Sequence, residues 1–170
     1  MAVIPLVKAD NPILRAKAKR ISRIDGRIQK LIEDMVETMR AANGVGLAAP
    51  QVGVSLRLAV IQLPEDSDDR MAGRLIVLIN PEIVKRAGEE TMDEGCLSVP
   101  GYVGTVSRAQ KVTVKALDRQ GKPFRLKAEG LLAEALQHEI DHLDGVLFYD
   151  RLAENEVLRP VKSVPDEEEM

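Results

Sequence analysis

Apolar positions recur at helical spacing in two stretches of this chain. Ile28, Leu31, Ile32, Met35, Val36 and Met39 follow the i, i+3, i+4 rhythm of an amphipathic helix, with Asp25 placed to cap it and Asn43-Gly44 to stop it. A second helix is expected over 130–143, closed by Gly145. It carries Leu131 and Ala135 on one face and Leu132, Leu136, Ile140 and Leu143 on another, so it should be enclosed rather than lie on the surface. Between the two helices the rhythm shortens to that of strands, at 57–63, 75–79, 111–117 and 122–128. The last two alternate cleanly (Val112, Val114, Ala116; Phe124, Leu126, Ala128) around Asp118-Arg119-Gln120-Gly121, which reads as a hairpin turn. Strands grouped together and followed by a late helix predict an α+β fold, with antiparallel strands packed around that helix. We expect one domain over 1–152 and a short acidic, frayed tail over 153–170.

Composition narrows the function classes. At 170 residues, 45% hydrophobic and 30% charged, the chain can bury a core. A single Cys excludes an intrachain disulfide framework and fits a reducing compartment. Two Tyr, two Phe and no Trp leave little material for stacking bases. The net charge of −3 argues against a strongly basic DNA binder. The opening MAVIPLVKAD lacks the regions of a secretory signal, and the longest aliphatic run (75–79) is too short to cross a bilayer. A soluble cytoplasmic protein, with neither membrane nor DNA as partner, is the expectation.

Chemistry concentrates on the late helix, in His138-Glu139-Ile140-Asp141-His142. At about 100° per residue the two imidazoles lie roughly 40° apart on one side, one turn from each other. Two imidazoles so spaced can hold one divalent metal, with Glu139 in reach of a water on it. No other His exists in the chain. A catalytic site needs a third protein ligand and an open position. Position 148, where one class of HExxH proteases has a further His, is Phe; Glu154 and Glu156 lie near the chain end. The sole Cys, at 96, reads by itself first as a small buried apolar residue, but its setting in Glu94-Gly95-Cys96-Leu97-Ser98 keeps the ligand reading open. The segment Gly44 to Gln51, GVGLAAPQ, is neither a phosphate loop nor a dinucleotide fingerprint.

Taken together, GVGLAAPQ (44–51), EGCLS (94–98) and HEIDH (138–142) closely resemble the three ordered motifs of the peptide deformylase family. NPILRAKAKRI, LINPEIV (78–84), VPGYVGTVSRA (99–109), ALDRQGKP (116–123) and HLDGVLFYDRL (142–152) extend the resemblance over nearly all of 1–152. It implies a metal-dependent hydrolase that removes the N-formyl group from the initiator formyl-methionine of newly made polypeptides and releases formate. It implies Cys96, His138 and His142 as ligands of one divalent metal, Fe(II) as the native ion and Zn, Ni or Co as substitutes. Thiolate and imidazole donors suit such ions. The same resemblance makes Glu139 the general base on metal-bound water, and Gln51 and the Leu97 backbone N–H the donors to the oxyanion. It also places Val45 and Leu131 in the wall of a slot for the Met side chain, with Glu134 at its edge and the Gly46 backbone holding the peptide. Glu94 and Asp141 are candidates to orient the imidazoles, or else simple ion-pair partners, for example of Arg108. Formyl-methionyl nascent peptides are the expected partners, with transient proximity to the ribosome. The long basic C-terminal helix of some family members has no counterpart here, and the basic stretch from Lys8 to Arg20 reads as solvated surface. Two other readings remain: an HExxH metallopeptidase cutting internal peptide bonds, and a non-catalytic structural metal-binding domain.

Overall fold

The computed structural model describes residues 2–161. Helix α1 (Gly26–Ala41) begins where expected, with Asp25 accepting from the Arg27 and Ile28 N–H groups. Strands β1 (Gly46–Ala48), β2 (Leu58–Gln62), β3 (Leu75–Ala87), β6 (Lys111–Leu117) and β7 (Pro123–Glu129) form an antiparallel sheet in the order β1-β2-β3-β6-β7. Strands β4 (Glu90–Cys96), β5 (Val99–Arg108) and β8 (Arg159–Pro160) form a second sheet. Helix α2 (Gly130–Leu143) packs on the first sheet and turns its histidines toward β4. This is the α+β arrangement expected, with α2 central to it.

Strand β2 shows why the layers form. Leu58 and Val60 face the α1 side with Ile32, Met35 and Met39, while Ala59 and Ile61 face the α2 side with Leu132, Leu136 and Ile140. A strand covered on both faces must be apolar at every position, as LAVI is. The predicted hairpin pairs Val112 with Ala128, Val114 with Leu126 and Ala116 with Phe124, and Asp118 caps its turn. Strand β3 runs well past the expected 75–79. At Asn80 (φ 52) it kinks, the Asn80 carboxamide bonding both N–H and C=O of Ile21, and register shifts let its second half pair with β6. Strands β4 and β5 are absent from the expected elements because β4, ETMDEGC, turns Glu94 rather than an aliphatic residue into the interior. Beyond residue 152 the chain does not leave the body at once. Ala153 N–H donates to Thr105 O, Leu158 packs with Phe148, and Arg159–Pro160 pair with Tyr102 and Val103. The acidic run of the expected tail lies outside the described residues.

Candidate metal centre

Two segments 42 residues apart meet here. The ladder between β4 and β5 shifts register between Glu94, which pairs with Gly104, and Cys96, which pairs with Val99, and the tight turn Leu97-Ser98 follows. Cys96 is thereby aimed at α2, where His138 and His142 stand one turn apart. The Cys96 Sγ, His138 Nε2 and His142 Nε2 atoms converge, with Sγ 3.2 Å and His138 Nε2 3.2 Å from His142 Nε2. Donors sharing one tetrahedral ion at ordinary bond lengths lie roughly 3.3–3.6 Å apart, so this trio fits a single ion. Burial works against charge on His138, yet hydrogen bonds to Cys96 and Glu94 hold its pKa well above the usual imidazole range. Burial, then the charge of His138, pushes His142 well below it. A bound ion would take the place of the extra proton on His138, since ligating imidazoles are neutral and metal binding releases protons.

The surroundings orient these donors. His138 Nδ1 lies 2.9 Å from Glu94 Oε1; with the proton on Nδ1, Nε2 keeps its lone pair for a metal. Glu94 is only 3% exposed and is clasped by Arg108 through Nε and through Nη2 at 2.8 Å. Arg108, 5% exposed, also donates from Nη1 to Asp141 at 2.9 Å, and Arg151 holds Asp141 from the other side. Of the two acids expected to orient an imidazole, Glu94 does so and is an ion-pair partner as well. Asp141 has arginine partners. Arg151 escaped the sequence reading, since nothing in its spacing tied it to 141; so did Phe148, whose ring stacks on His138 at 6.2 Å.

Glu139 is buried, and its Oε1 has no protein partner among the described residues. Burial, partly offset by His138 and reinforced by Glu94, pushes its pKa up to about 7. A carboxyl so poised can take and return a proton near neutral pH. Its other oxygen rests against Gly46, where a Cβ would come within 2.5 Å. Gly44 is likewise pressed by the Leu97 side chain, at 2.9 Å from where its Cβ would be. Both glycines of GVGLAAPQ are thus fixed by close approach. Gln51 closes the cluster: Oε1 accepts from Ala48 N–H at 2.9 Å, and Nε2 donates to Ser98 Oγ at 3.2 Å and points to Cys96 Sγ at 3.5 Å.

Of the expected site residues, Cys96, His138, His142, Glu139, Gln51, Leu97 and Gly46 come together. Val45 packs against the α2 core beside them. Leu131 is 41% exposed and also lines a groove of about 780 Å³, between residues 67–70 and the lysines Lys85, Lys111 and Lys127. Glu134, half-buried one turn before His138, is pushed up to about 7, chiefly by burial and then by Glu94. Among the described residues no helix is long and apolar enough to cross a membrane.

Comparison with known proteins agrees with this geometry. Residues 3–157 match the family model described as polypeptide deformylase. A peptide deformylase of Dehalococcoides mccartyi is 50% identical over 168 residues, covering 99% of this chain and 96% of that protein. The crystal structure of a peptide deformylase from Legionella pneumophila superposes with a TM-score of 0.82 at 54% identity, over 90% of this chain and 88% of that one. That of Synechococcus elongatus, in complex with actinonin, gives 0.82 at 46% identity, over 89% and 80%. With its motifs gathered around one donor cluster and its length matched from residue 3 to 157, the chain belongs to the peptide deformylase family.

Proposed function

We propose that this chain hydrolyses the N-formyl group from formyl-methionine at the start of new polypeptides, releasing formate, and that it meets them in the cytoplasm close to the ribosome. The observation that carries the reading is the convergence of Cys96, His138 and His142 beside a buried carboxyl with a free oxygen, in a chain of this family. Those three residues would hold one divalent ion, Fe(II) natively and Zn, Ni or Co in substitution, the soft thiolate favouring these over Mg or Ca. Bound there, such an ion supplies Lewis acidity that makes water nucleophilic near neutral pH. Glu139 takes the proton from the attacking water and later delivers it to the departing amine. Gln51 Nε2 and the Leu97 N–H donate to the formyl oxygen as it gains negative charge. Strand β1 is an edge of its sheet, so Gly46 has backbone groups free to hold an extended peptide. Val45 and Leu131 would bound the slot for the methionine side chain, with Glu134 at its rim.

The test is formate release from a formyl-Met peptide by protein prepared anaerobically with Fe(II) or Ni. Formate release that Glu139→Ala abolishes, while the variant retains one metal per chain, is the expected result. No formate above background from metal-loaded protein refutes the reading. Cleavage of unformylated chains, or activity surviving Cys96→Ser with Zn, would point instead to a general metallopeptidase.

A further inference from the structure

We propose that the N-terminal strap of residues 2–10 positions the oxyanion donors, with the backbone N–H groups of Val7 and Ala9 as its working contacts. The inference rests on the roles assigned above to Gln51 and Leu97. Those residues lie on different elements: Gln51 on the short 3-10 turn Ala49–Val52, Leu97 on the turn after β4. The strap joins both. Val7 N–H donates to Gln51 O at 2.8 Å, and Ala9 N–H donates to Ser98 O, the residue after Leu97, at 2.9 Å. With only Lys8 between them, these N–H groups can be at most about 7 Å apart, so the strap sets an upper limit on the separation of the two turns. The side-chain link across the same gap, Gln51 Nε2 to Ser98 Oγ at 3.2 Å, depends on that separation. Further contacts fix the strap itself. Ala2 N–H donates to Asp34 Oδ1 and Ile4 N–H to Thr38 Oγ1, each at 2.8 Å; Ile4 and Leu6 pack on the α1 core, and Ala9 packs beside Cys96 and Val99. These anchors keep the strap on α1, while the short span from Val7 to Ala9 sets the spacing of the two donor-bearing turns.

The experiment compares metal-loaded Val7→Pro and Ala9→Pro, each lacking one N–H, with Val7→Ile and Ala9→Ser, which keep it. A third variant inserts one Gly after Lys8, retaining every N–H but lengthening the span. Thr38→Ala serves as control, loosening the strap's anchor away from the site. We expect kcat on a formyl-Met peptide to fall by about a hundredfold in the proline variants and the insertion, the scale of a 1 Å misplacement, with KM within about twofold and one metal per chain. The N–H-retaining variants should stay within about twofold of the parent, and Thr38→Ala should lower Tm without changing kcat. Proline variants and insertion with parental kcat overturn the proposal, as does a loss of kcat that tracks loss of metal or Tm across the whole set. If the proline variants do not fold, the insertion decides by the same criteria. Absence of formate release from the parent protein would defeat the functional reading instead.

Discussion

Replacing Arg108 with Met tests the energetics of the centre most directly. The substitution preserves much of the side chain's volume and removes its charge. Arg108 makes three hydrogen bonds to two carboxylates, and Glu94 would be left with His138 alone while Asp141 keeps Arg151. Taking one partner from a buried ion pair costs about 3–5 kcal/mol, because the other charge stays buried without compensation. Arg151 should hold the cost toward the lower end, near 3 kcal/mol. Urea unfolding of the metal-free protein gives the value directly. The double variant Glu94→Gln/Arg108→Met should recover most of the loss, since the carboxylate that suffered is then neutral. Acid unfolding supplies an independent check of sign. Burial alone would raise the Glu94 pKa, but the bonds from Arg108 and His138 outweigh it and hold it below the ordinary 4.5. A depressed carboxylate stabilises the fold fully above its unfolded pKa, and that contribution disappears as pH falls through the folded value. Wild type should therefore lose this stability only below pH 4.5, while Arg108→Met should lose less over the same range. A loss under about 1 kcal/mol for Arg108→Met, or a double variant as unstable as the sum of the singles, would refute the orphaned-charge account.

Three further outcomes are expected. Gly46→Ala should drive a methyl into the Glu139 carboxylate and lower kcat by about a hundredfold while metal content is unchanged; parental kcat would show that the base does not need that contact. Gln51→Leu should cost about 3 kcal/mol of barrier, read as a fall in kcat at nearly constant KM, and a change confined to KM would contradict a donor role. Cys96→Ala should fail to retain metal after dialysis, measured by elemental analysis; stoichiometric retention would remove the thiol from the ligand set.

The helices were legible because each buries a stripe at helical spacing, and the 118–121 hairpin because its strands alternate and an Asp and a Gly bracket its turn. The HEIDH pair was legible for the same reason, since helix geometry alone puts both imidazoles on one side. What spacing could not show was the partnership of Cys96 with that pair, which depends on how the β4–β5 hairpin lies against α2; the motif resemblance supplied it. Strand β4 was hidden by the site itself. Glu94 occupies an interior position that an ordinary strand would fill with Val or Ile, and Arg108, fourteen residues later and directed by β5, makes that tolerable together with His138. Strand β3 was cut short by Asn80-Pro81, a breaker in sequence that the fold uses as a kink pinned to Ile21.

The division of the three donors between a hairpin and a helix would also tie folding to metal supply. An ion held by Cys96, His138 and His142 would cross-link chain segments more than forty residues apart, and would bind the unfolded chain far less well. By mass action, free ion at a hundred times its dissociation constant would add about 2.7 kcal/mol to stability, and a chelator would withdraw it. The apparent melting temperature of this protein would thus be a reading of metal activity as well as of sequence. In a cell short of its ion, the chain would lose turnover and structural reserve together.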